Sequence, residues 1–152
     1  MKTLIVVIFM CFAGIVAAQP TEVRVKPLKD YYYTGSMPLK EDVNCYVLTS
    51  RKDFKKFFGE TTRPDTPDFS KELMLVLLMP STKRDAKLDF DRISMKAGQF
   101  IEVYCKVRYG KHKLTYESYP LSTCVIPRYP GITKVHFYNN RHMRPLATVM
   151  IE

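Results

Sequence analysis

Hydrophobic residues along this chain recur mostly with a period of two, the spacing that predicts strands. Val43, Cys45 and Val47 share one face of a strand over Val43–Leu48. Ile101, Val103, Cys105 and Val107 alternate with Glu102, Tyr104, Lys106 and Arg108, and Val135 and Phe137 alternate with Lys134, His136 and Tyr138. Leu88–Lys96 and Phe100–Tyr109 flank Ala97-Gly98-Gln99, a predicted hairpin. Leu121–Ile126, set between Pro120 and Pro127, forms a further strand, and Leu146–Ile151 the last, beyond a turn at Asn139-Asn140. The run Leu73–Met79 is apolar at every position, which suits a strand buried on both faces and covered by a second sheet or by a helix.

The period changes once. Phe54, Phe57 and Phe58 fall at i, i+3 and i+4, with Lys52, Lys55 and Lys56 facing away. Ser50 stands three residues before Asp53, an acidic variant of the capping box, and Gly59 is placed to end the helix with a left-handed residue. Ahead of these elements, Val23 and Val25 alternate with charge, and Tyr31-Tyr32-Tyr33 is followed by Thr34-Gly35. Residues 19–42 therefore read as an extended arm or edge strand, and 43–152 as one β-rich domain. The expected fold is β-rich α+β. It is an antiparallel sandwich or partly open barrel of about seven strands with one short helix near residues 51–58.

The first eighteen residues change the picture. Lys2 precedes an apolar run, Leu4–Val16, and Val16-Ala17-Ala18 offers the small residues that a signal peptidase accepts. Residues 1–18 are expected to be a secretory signal, so the working protein begins at Gln19 or Pro20 and is exported to the periplasm, the cell surface or the medium. The run stops short of the ~20 residues a spanning helix needs, so the chain is not expected to cross a membrane.

Charge narrows the partners. The chain carries 24 basic and 15 acidic residues. Loss of Lys2 leaves 23 basic and 15 acidic, a net +8 that favours an acidic glycan, an anionic lipid surface or an acidic protein partner in the cell envelope. Nucleic acid fits least, because an exported protein seldom meets it. The basic residues cluster as Arg51-Lys52, Lys55-Lys56, Lys83-Arg84, Lys111-His112-Lys113 and Arg141-His142. Linear order alone does not say which of these share a face.

Candidate chemistry is sparse. Cys45, Cys105 and Cys124 follow the leader, and they allow one disulfide in any of three pairings or three free thiols. A thiol nucleophile needs an imidazole and an orienting group, for which Cys124, His136 and Asn139 are the nominees. No glycine-flanked nucleophile motif surrounds Cys124, and Cys45 and Cys105 fall on apolar strand faces, where thiols act as small hydrophobes. No C-x-x-C occurs, and His112, His136 and His142 lie among basic residues that oppose a metal cation. Asp89 and Asp91 share one side of a strand at a spacing near that of a glycosidase pair, but Lys87 and Arg92 beside them point to ordinary ion pairing. Neither a glycine-rich phosphate loop nor a Gly-x-Ser-x-Gly elbow is present. The expectation is a non-enzymatic protein with no cofactor, metal or catalytic residue.

For binding, two segments stand out. Tyr31, Tyr32 and Tyr33, beside Lys29, form a candidate amphipathic contact surface, with alternation turning at least one ring inward. Lys83 and Arg84 form a candidate basic loop, and the wider Pro80–Asp85 segment would be the entering loop if the protein were a protease inhibitor on an immunoglobulin-like sandwich.

The order of motifs carries a resemblance. Val47-Leu48-Thr49-Ser50, Asp53-Phe54 and Phe57-Phe58 lead through a proline-bearing loop to Asp68-Phe69-Ser70-Lys71 and the apolar strand Leu73–Met79. Tyr119-Pro120, Val125-Ile126-Pro127-Arg128 and Val135-His136-Phe137 follow. Over roughly residues 43–138 this order resembles the PrcB-type C-terminal domain. Where that family carries a glycine-rich stretch, this chain has Pro80-Ser81-Thr82-Lys83-Arg84. The resemblance implies an exported β-rich accessory module of a bacterial surface protease complex, acting through protein contacts and contributing no catalytic residues.

Overall fold

The computed structural model describes residues 19–141 and 143–151; the expected leader at 1–18, His142 and Glu152 lie outside them. In chain order the elements are β1 (Thr21–Glu22), β2 (Lys26–Leu28), β3 (Asn44–Leu48), α1 (Arg51–Phe58), β4 (Glu72–Leu78), β5 (Thr82–Lys96), β6 (Phe100–Ser118), β7 (Leu121–Pro127), β8 (Lys134–Asn139) and β9 (Arg144–Met150). They form two sheets, ordered β1-β5-β6-β8-β9 and β2-β7-β4-β3. Every pairing is antiparallel except β6 with β8. The architecture is a β-sandwich and not a closed barrel. No helix of the described residues is long and apolar enough to cross a membrane.

The uninterrupted apolar run becomes β4, and its two faces feed two cores. Leu73, Leu75 and Leu77 pack between the sheets with Ile101, Val103, Val135 and Phe137. Met74, Val76 and Leu78 pack on the opposite face with Phe54, Phe57 and Phe58 of α1. A second sheet and the helix each cover one side. The helix is set by its sequence ends. The Ser50 hydroxyl accepts from the Asp53 N–H at 3.1 Å and donates to the Asp53 carboxylate at 2.7 Å. Gly59, at φ 72°, donates its N–H to the Lys55 carbonyl at 2.9 Å, an angle that an L side chain would resist.

One long folded ribbon links the sheets. β4 pairs with β7 from Glu72–Pro127 to Leu78–Leu121, and β5 pairs with β6 from Thr82–Ser118 to Lys96–Phe100. Between these stretches the Met79 N–H bonds the Pro120 carbonyl at 3.0 Å. The four strands are thus one hairpin closed at Ala97-Gly98-Gln99. It bends at Pro80 and Pro120 so that one half joins each sheet, the way strands turn the corner of a sandwich. On the opposite side the N-terminal arm makes the same crossing. β1 pairs with β5 in one sheet and β2 with β7 in the other, each at an edge.

One expectation needs correction. The hairpin strands run well past Leu88 and Tyr109, to Thr82 and Ser118, and Lys83 and Arg84 lie inside β5 instead of in a loop. Beyond Ala86 and Val107 the ribbon no longer faces the core, so the apolar alternation that marks a strand disappears there. The nine strands of the described residues include the short β1 and β2 of the arm, which leaves seven in the domain from residue 43 onward.

Candidate interaction surface

The three tyrosines separate. Tyr31 is buried, edge-on to Phe54 and Phe58, and its hydroxyl donates to Asp65 at 3.1 Å. The Arg63 guanidinium lies 4.3 Å from its ring centroid, bonds the carboxylate of Asp65, and donates to the carbonyls of Lys29 and Asp30. That guanidinium holds the Asp65 carboxyl down at about 2, while burial and Asp65 raise the Tyr31 phenol. Tyr33 is half-buried against Phe57 and Tyr119, and its hydroxyl accepts the Met37 N–H. Only Tyr32, 75% exposed, faces solvent. The segment mainly fastens the arm over the helix.

Lys83 and Arg84 have different surroundings. The register sets Arg84 opposite Lys113 and so brings the Lys83-Arg84 cluster against Lys111-His112-Lys113. Between the Ala86–Tyr109 and Thr82–Ser118 pairs, β5 contributes residues 83–85 and β6 contributes 110–117. The surplus bows β6 outward at the sandwich corner. Lys83, Arg84, Lys111, His112 and Lys113 are all exposed there, together with Tyr109 at 53% and Tyr116 at 62%. The Arg84 guanidinium lies 5.2 Å from the Tyr109 ring centroid. None of these four Lys and Arg side chains forms an ion pair with a described carboxylate.

Gly110 lies directly beneath the Asp85 side chain. Asp85 crosses over it so closely that a Cβ at position 110 would collide with the carboxylate and meet the Asp85 Cγ at 2.7 Å. Glu117, the other acid of the corner, accepts from the Ser81 hydroxyl at 3.1 Å. Four cations against two acids leave the corner positive. Tyr109 joins the site without being a candidate from periodicity; its place immediately before Gly110 and the Lys-His-Lys cluster is its one signal in the sequence.

The remaining candidates do not converge. Cys124 is buried between the sheets, whereas His136 lies on the outer face of its sheet, bonded to Thr148 at 2.8 Å and edge-on to Phe100. Asn139 accepts the Arg141 N–H in a turn. Cys45, Cys105 and Cys124 are free thiols, and burial pushes all three up, Cys45 to about 12. Asp89 is bound by Arg108 and lies 3.9 Å from Lys87, and Asp91 is bound by Lys106 and Asn140, which leaves each carboxylate in its own ion pair. Among the described residues no three His, Cys, Asp or Glu side chains cluster as metal ligands; His142 is not one of those residues.

No family model matches this chain, and no curated protein or solved structure matches it either.

Proposed function

We propose that this chain is a non-enzymatic, exported interaction module of a bacterial cell envelope, and that it binds an anionic partner through the corner of its sandwich. One observation carries the reading: the β5–β6 register gathers Lys83, Arg84, Lys111 and Lys113 on one exposed bulge, without carboxylate partners among the described residues. Elsewhere on the ribbon, Lys87, Lys106 and Arg108 are spent locally on Asp89 and Asp91. The thiols favour binding over catalysis, since a nucleophile needs a thiolate and these are sealed and held protonated. The likeness to the PrcB-type domain points to an accessory protein in the same compartment. The inhibitor reading is weakened, because Thr82–Asp85 belong to a paired strand and not to a free loop.

The test is capture from native envelope extract with the tagged full chain and a variant carrying Lys83→Gln, Arg84→Gln, Lys111→Gln and Lys113→Gln. A specific component is expected to be retained at low salt by the parent chain, lost as salt rises, and lost at all salts by the variant. Equal retention by both chains would remove the corner from the function, and the absence of any specific component would remove the module itself.

A further inference from the structure

We infer that the ligand of the corner is an acidic polysaccharide, a linear glycan bearing sulfate or carboxylate groups. The inference rests on the proposed role of the corner and goes on to name its ligand. Two features must be met together: repeated negative charge and a flat, weakly apolar surface. Lys83 and Arg84 on one strand face Lys113 and its neighbour Lys111 on the other, so the cations form a band across an extended ribbon instead of a single point. A band of that kind suits charges repeated along a polymer. Tyr109 and Tyr116 supply exposed ring faces within the same band, and Arg84 stacks beside the first of them. The C–H face of a sugar ring packs on such a tyrosine while its substituents reach the cations.

What the corner lacks decides between anionic partners. A protein interface takes most of its energy from a well-packed apolar or aromatic centre that excludes water. Docking on a bilayer requires apolar side chains that enter the acyl boundary. The large hydrophobics exposed around the corner are Tyr109, Tyr116 and Tyr119, all of which carry hydroxyls, and Leu114 is half-buried. The exposed methionines of the described residues, Met143 and Met150, lie beside and on β9 at the far edge of the sheet, and no exposed Leu, Ile or Phe is found among those residues. Cations and hydroxylated rings without an aliphatic anchor fit a hydrated glycan better than a protein core or a membrane.

The experiment titrates the full chain with a heparin oligosaccharide (sulfate and carboxylate) and an alginate oligosaccharide (carboxylate alone). Neutral dextran, poly-glutamate and vesicles of phosphatidylglycerol in phosphatidylcholine are the competing probes. The corner variant with four Lys/Arg→Gln changes is compared with a charge-matched control, Arg51→Gln, Lys52→Gln, Lys55→Gln and Lys56→Gln, placed on the exposed side of α1. Both acidic glycans should bind, and the corner variant should weaken them about tenfold or more with a shallower dependence on salt; the helix variant should stay within about threefold. Tyr109→Ala with Tyr116→Ala should weaken glycan binding while leaving the salt dependence unchanged, a result that diffuse charge attraction does not produce. Equal losses in the corner and helix variants would overturn the inference in favour of net charge. Corner-dependent binding tighter to poly-glutamate or to vesicles than to either glycan would overturn the glycan and leave the corner as the functional surface. Indifference of every probe to the corner variant would overturn both. Melting temperatures verify folding, and if the fourfold variant melts early, Lys111→Gln and Lys113→Gln alone, on the bowed segment, replace it.

Discussion

Cys45, Cys105 and Cys124 show how placement governs a side chain's chemistry. Cys45 and Cys124 stand opposite Leu77 and Leu75 on β4, and Cys105 enters the same core from the other sheet. The proposed export would permit disulfides, yet the thiols serve as small apolar groups. Desolvation disfavours the thiolate, so the native thiols stay protonated well above the ordinary cysteine range, about 8.5, in which an unfolded chain ionises. Between pH 9 and 12 the native state then binds more protons than the unfolded state, and stability falls as pH rises. The expected outcome is a denaturation midpoint that is steady to about pH 8.5 and declines beyond it. Cys45→Ala should flatten part of that decline, and urea titrations across this range measure it. The same logic of placement splits the tyrosines. Tyr31 is held by Phe54, Phe58, Asp65 and Arg63, while its neighbour Tyr32 meets only solvent on the opposite side of an extended backbone.

The β5–β6 ribbon changes character along its length. Near the turn it is a core hairpin whose Ile93, Ile101 and Val103 are sealed, and near the corner it is a bowed, charged strip. Gly110 with Asp85 is the joint of that strip. Gly110→Ala should cost only about 1 kcal/mol or less, since the new Cβ meets only the side chain of exposed Asp85, which can rotate aside. Asp85→Ala should relieve most of that loss, and a double-mutant cycle by chemical denaturation tests the coupling. Much of this element level was legible beforehand. The Leu73–Met79 run, the Ser50 cap, the phenylalanine stripe and the inward Val135 and Phe137 all have neighbours that match their pattern. The ends of β5 and β6 were not legible, because a ribbon exposed on both faces imposes no alternation. The meeting of Lys83-Arg84 with Lys111-Lys113 was hidden for the same reason: strands expected to end at Leu88 and Tyr109 stop short of both clusters, although an even register carried on from Lys96–Phe100 would already set Arg84 opposite His112.

At the scale of the molecule, charge is organised by topology. The helix cations at Lys55 and Lys56 are answered by Glu60 and Asp53, and those of the middle ribbon by Asp89 and Asp91. The corner keeps its own unanswered among the described residues. The folded ribbon also bears on how the chain assembles. Ala97-Gly98-Gln99 closes a hairpin whose pairing continues through both sheets, so contacts can spread from one local turn outward to Glu72 and Pro127. The arm is different: Thr123 bonds the carbonyl of Leu28 across 95 positions, and β1 and β2 together pair through only five residues. Such distant, slender pairings carry a large loop-closure cost for little return. Native-state hydrogen exchange should therefore find the amides of β4 to β7 slowest and those of residues 21–28 fastest among the strands; equal protection of the arm would contradict this order. Maturation then has a timetable. The earliest strands made are the last to be fastened, and under the proposed export the stretch next to the expected leader would stay accessible to processing until the rest of the sandwich has closed.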